Sequence, residues 1–157
     1  MTVTVEVVVE SSLSPDRILA AAYDFSARRP EVWPNVAANL YTVHEVRDTS
    51  ADITEGGRAG PLVAWERCDY DWSTPGRVKA TVRDSNVYTI GESSWEITAT
   101  ATPTGSRVQM TWVRGFKWNP TARVLAIAYR LGGKRIFTPD AKKMLGNLER
   151  LERSSDG

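Results

Sequence analysis

The chain has 157 residues, 41% hydrophobic and 25% charged, with 20 Lys/Arg against 19 Asp/Glu. That balance excludes both a broad basic field for nucleic acid and the charge-rich, apolar-poor signature of disorder. A single cysteine beside six tryptophans excludes an internal disulfide and a Cys-rich zinc site. The length fits one domain, burying roughly 70% of its unfolded surface.

Thr2–Glu10 (TVTVEVVVE) puts Val3, Val5, Val7 and Val9 in one phase, which predicts a strand with one buried face. Ser14-Pro15-Asp16 opens a helix, with Ser14 as N-cap, Pro15 in its first turn and Ile18, Leu19, Ala22 and Phe25 as its apolar stripe. Pro30–Val36 reads as a second short helix cut off by Pro34. Period two then takes over. Strands are predicted at Leu40–Arg47, Ala51–Glu55, Val63–Ser73, Arg77–Asp84, Ser93–Thr102 and Arg107–Phe116. Gly56-Gly57 and Gly60-Pro61 mark a loop between the second and third of these. Asn119-Pro120 opens a long helix to Glu152, weakened at Gly132-Gly133 and bent at Thr138-Pro139-Asp140. Residues 1–153 then form a single domain, and 154–157 a frayed tail.

A sheet this long twists, and one face needs covering. The C-terminal helix is the only element long enough to cover it. The expected architecture is α+β: a curved seven-stranded antiparallel sheet wrapped around that helix, two short helices between strands 1 and 2, and a cavity in between. Met1–Glu10 lacks the basic start of a signal peptide, and no run approaches about 18 apolar residues. The expectation is a soluble protein of a reducing compartment, most simply the cytoplasm, with no integral membrane segment.

Three stretches carry a family likeness in the right order over most of the chain. Leu13-Ser14-Pro15-Asp16-Arg17-Ile18 resembles the opening of the first helix in the START / polyketide cyclase–dehydrase (SRPBCC, helix-grip) superfamily. Arg29–Val36 (RPEVWPNV) is similar to its tryptophan-containing second helix, and Thr102–Trp112 to its turn into the last strand. The resemblance implies a cavity for a hydrophobic small molecule. Members bind lipids, sterols, polyketides or plant hormones, and a minority cyclise or dehydrate polyketides. No general catalytic motif or cofactor comes with it, and function on such a fold is decided by the site.

The chemistry available is limited. His44 is the only histidine and reads as a surface residue, so no triad, Cys/His pair or metal spacing exists. Cys68 reads as a small core residue. Gly56–Gly60 lacks the context and the lysine of a phosphate loop. Lys134-Arg135 and Lys142-Lys143 read as ordinary solvated surface.

Strand Val63–Ser73 is the most unusual. One phase holds Val63, Trp65, Arg67, Asp69 and Asp71 and is placed outside because of its charges. The other holds Ala64, Glu66, Cys68, Tyr70 and Trp72 and faces the cavity. A buried Glu66 would have a raised pKa and serve proton transfer, with Tyr70 bonding a substrate carbonyl. The alternative is that Glu66 pairs with Arg83 or Arg114 and stabilises the sheet. The candidate ligand-binding set is Trp33, Val43, Glu66, Tyr70, Trp72, Val82 and Tyr88, continued by Trp95, Ile97, Met110, Trp112, Leu125 and Tyr129. Three functions stay open: a binder of a hydrophobic or aromatic molecule, a polyketide cyclase/dehydratase using Glu66 or Tyr70, and an interaction protein with a collapsed cavity. The oligomeric state is left open.

Overall fold

In the computed structural model, which describes residues 2–156, the alternation at the N-terminus becomes strand β1 (Thr2–Ser11), with Val5 and Val7 buried. Helix α1 (Pro15–Ala22) buries Ile18, Leu19, Ala21 and Ala22. Ser14 occupies the N-cap position, but its side chain makes no cap bond. Helix α2 is a single turn, Arg29–Val32, one residue earlier than predicted and ended at Trp33. Strands β2 (Thr42–Val46), β3 (Ser50–Ala59), β4 (Leu62–Asp71), β5 (Arg77–Ser85), β6 (Ser94–Thr102) and β7 (Gly105–Gly115) follow, then helix α3 (Pro120–Ser155). All pairings are antiparallel, and the sheet runs β1-β7-β6-β5-β4-β3-β2. This is the helix-grip α+β fold. Of the expected tail, Gly157 lies outside the described residues. Helix α3 continues to Ser155, where the Ser154 and Ser155 hydroxyls bond back to the carbonyls of Arg150 and Leu151.

Two glycine assignments differ from expectation. Gly56 and Gly57 lie inside β3 rather than in a loop. They serve close approach: a Cβ on Gly57 would sit 2.5 Å from the Asn35 carbonyl oxygen, and Ala37 N–H donates to the Gly56 carbonyl at 2.8 Å. The turn proper falls at Gly60, whose φ of 61° suits glycine. In α3 the break is at Gly132 (φ −153°, ψ 29°) and not at Pro139. Gly133 beside it serves close approach, because a Cβ there would lie 2.5 Å from Val5 Cγ2. Pro139 faces solvent and is carried within the helix. The start of α3 is as predicted, with Asn119 Oδ1 accepting from Ala122 N–H at 2.9 Å.

The core lies between the inner sheet face and the C-terminal half of α3, where Phe137, Ala141, Met144, Leu145 and Leu148 are buried. Helix α1 packs across β5, β6 and β7 at the other end. The first half of α3 stands off from β3 and β4, and the space beneath it is the cavity.

Candidate functional site

The cavity has a volume of about 720 Å³. Its floor comes from β3 and β4 (Glu55, Gly56, Gly57, Ala64, Glu66) and its roof from α3 (Leu125, Ala128, Tyr129, Phe137, Asp140). The segment Pro34–Ala37 forms one side, and Tyr88 with Arg114 the other. A narrow inner recess of about 30 Å³ runs between Trp33, Trp95, Met110, Trp112 and Met144. It shares Glu55, Glu66, Arg114, Phe137 and Asp140 with the main chamber, so the two are continuous.

Within these mainly apolar walls stands one polar string. Arg114 donates to both Glu66 oxygens, at 2.8 and 3.2 Å. Its guanidinium carbon lies 4.4 Å from the Tyr88 ring centroid, and the Tyr88 hydroxyl is 3.0 Å from that of Tyr129. Arg114 Nε is buried and has no hydrogen-bond partner among the described residues. Burial pushes the Glu66 pKa up, with Arg114 acting against it. Burial alone would lower the Arg114 pKa, but Glu66 and Tyr88 hold it above its usual value. Burial likewise raises both tyrosines and the half-buried Asp140. The string presents a fixed cation, a carboxylate held by it, and neutral hydroxyls. That suits orienting a polar group on an otherwise apolar molecule.

A second buried cluster lies beside the first. Arg29 Nε donates to Glu55 Oε1 at 2.5 Å, and the Tyr70 hydroxyl donates to the same oxygen at 3.0 Å. Arg29 also donates to the Tyr70 hydroxyl (3.2 Å) and to the carbonyls of Ala22 (3.1 Å) and Asp24 (3.2 Å). Its guanidinium carbon sits 4.7 Å from the centroid of Phe25 and 5.2 Å from that of Trp33. This cluster fastens α1 and α2 onto β3 and β4, and only Glu55 reaches the cavity wall. Its two charged members were not among the sequence candidates. Glu55 was findable, since it shares the inward phase of Ala51 and Ile53; nothing in the pattern around Arg29 marks it.

Of the candidates, Trp33, Glu66, Tyr88, Trp95, Met110, Trp112, Leu125 and Tyr129 lie on the cavity wall or its recess. The other five do not. Val43 is exposed on edge strand β2. Tyr70 is turned into the Arg29–Glu55 cluster. Trp72 stacks on Tyr23, ring centroids 5.0 Å apart. Val82 and Ile97 point inward but are fully buried in the core and do not line the cavity. Trp65, expected on the outer face, is half-buried and borders the cavity. The partner of Glu66 is Arg114, whereas Arg83 bonds Asp52 at 2.8 Å on the other face. His44 is exposed, 2.7 Å from Thr54 Oγ1, and Cys68 is buried. Among the described residues no group of three His, Cys, Asp or Glu is arranged to hold a metal ion, and no helix is long and apolar enough to cross a membrane.

No family model matches the chain, and no curated protein does. Solved structures do. The chain is similar to the ZhuI aromatase/cyclase of a Streptomyces species, with TM-score 0.76, 13% identity, and 100% of this chain and 99% of that chain covered. It is similar to a START superfamily protein from Mycobacterium smegmatis, with TM-score 0.71, 15% identity and coverage of 95% and 99%. A third likeness is to Ara h 8.0201, with TM-score 0.58, 12% identity and coverage of 96% and 99%. At such identities the likeness speaks for the fold: over its full length, this chain has the helix-grip architecture of START-like and aromatase/cyclase structures.

Proposed function

We propose that the protein binds a hydrophobic or aromatic small molecule, lipid or polyketide-like, between the sheet and α3. The observation that carries this is the cavity itself: about 720 Å³, within the roughly 300–1,000 Å³ range of small-molecule sites, with apolar walls and few convergent polar groups. A chamber of this size weighs against the collapsed-cavity reading. The similar folds of a START protein and an aromatase/cyclase support a cavity-based role. We place this role in the cytoplasm, the simplest setting for a chain whose one cysteine is free and buried.

The cyclase/dehydratase alternative retains Glu66 on the cavity wall with a raised pKa. It loses Tyr70, and both Glu66 oxygens already accept from Arg114. Binding without turnover is therefore the better-supported reading.

The test is native mass spectrometry of the purified protein for co-purified species, followed by titration with fatty acids and aromatic polyketides. Trp33, Trp95 and Trp112 on the wall should report occupancy by a change in emission. A ligand at a hundredfold excess over its Kd should stabilise the fold by about 2.7 kcal/mol. The Ala128→Trp variant, which fills the chamber from the roof, should keep its fold and lose the response. Absence of any bound species or emission change across the panel would sink the proposal.

A further inference from the structure

The outer face of the first half of α3 is the least expected surface of the molecule. Val124, Ile127 and Leu131 stand at helical spacings of three and four, so they share one side. All three are exposed, Leu131 at 84%. Trp118, just before the helix, is 92% exposed, and Arg123 lies over its ring at 5.7 Å. Arg123 and Arg130 flank the apolar row on the same side of the helix, and Lys134 and Arg135 follow just past the Gly132 break. All four are exposed, and none has an acidic partner among the described residues.

The sequence sharpens this. Between Glu96 and Asp140 there are seven Lys/Arg and no Asp/Glu. The remainder of the chain, with thirteen Lys/Arg against 19 Asp/Glu, is net negative. The overall charge of +1 hides a segment free of acids, four of whose cations lie on the first half of α3 or just past its break.

We infer that this face docks on an anionic lipid surface. Exposed aliphatic side chains with an interfacial tryptophan, bordered by cations and free of acids, form the pattern that seats a helix in the headgroup layer. Charge decides against a second copy of the chain: a two-fold contact brings the face onto itself and sets cation against cation. The exposed aliphatic row decides against an acidic protein surface, which the cations alone would satisfy. The face is continuous with the cavity, because Val124 and Ile136 are exposed and also line it. Docking therefore brings the chamber's roof against the lipid.

The test is flotation with vesicles of phosphatidylcholine alone and of phosphatidylcholine mixed with phosphatidylserine, at low and physiological salt. The wild type should float with the anionic vesicles only, and less at higher salt. Ile127→Glu/Leu131→Glu, at positions that do not line the cavity, should keep the wild-type melting temperature. That variant should partition at least about tenfold more weakly, as should Lys134→Glu/Arg135→Glu. A wild type that stays with the soluble fraction would overturn the inference. So would flotation that follows charge but is untouched by Ile127→Glu/Leu131→Glu, which would reassign the face to an acidic protein. A dimer in gel filtration that this variant dissolves would also overturn it. None of these readouts depends on a cavity ligand, so the docking and binding proposals fail separately.

Discussion

Glu66 and Tyr70 stand four residues apart on β4 with the same inward phase, yet they have different jobs. Glu66 neutralises the buried Arg114 at the cavity wall, while Tyr70 closes a triangle with Arg29 and Glu55 behind it. Removing one partner of a buried ion pair leaves an uncompensated charge. Glu66→Gln, which keeps the shape but strands the Arg114 cation, should cost about 3 kcal/mol, a fall in Tm of roughly 6–12 °C. The double variant Glu66→Gln/Arg114→Met should recover part of this, since no charge is then left buried. Tyr70→Phe forfeits hydrogen bonds without stranding a charge that Arg29 and Glu55 cannot neutralise between themselves, and should cost about 1–2 kcal/mol. Denaturant melts give these values, and ligand titration separates the pair: Glu66→Gln should alter affinity and Tyr70→Phe should not.

At the level of elements, glycines decide where chains meet. Gly133 lets α3 sit down on β1, and its missing side chain is occupied by Val5. Gly133→Ala should therefore destabilise by about 1–3 kcal/mol through overpacking. Val5→Ala made on top of it should cost less than the same change in the wild type, a coupling visible in a double-mutant cycle. These glycines also show where sequence reading stops. Strand order and the long helix were legible because alternation and start signals are local. Gly56-Gly57 reads as a turn by composition alone; its actual cause, the approach of Asn35 and Ala37, is non-local. Placing the bend at Pro139 rested on a residue's usual habit. The contact that matters there is between Gly133 and a strand more than a hundred residues earlier.

For the whole molecule, the helix-grip architecture was readable from element order, but the extent of the chamber was not. Inward phase identified Glu66, Trp95, Met110 and Trp112 as facing the interior. It could not say which inward side chains the core closes over: Val82 and Ile97 are fully buried and lie off the cavity wall. Nor could apolar character alone say which side of α3 is covered, since Val124 and Leu131 are apolar and stand exposed. The Gly132 break gives this architecture a temporal side. Beyond it, α3 is held by five buried side chains from Phe137 to Leu148 and by Asn147 Nδ2 donating to the Val32 carbonyl at 3.1 Å. Before it, only Ala122 is fully buried, over a chamber rather than a packed core. The two halves should thus open at different free energies. Amide hydrogens of residues 123–131 should exchange with deuterium through a local fluctuation, while those of 141–148 wait for global unfolding. Uniform protection along the helix would show instead that the roof breathes only when the whole domain does.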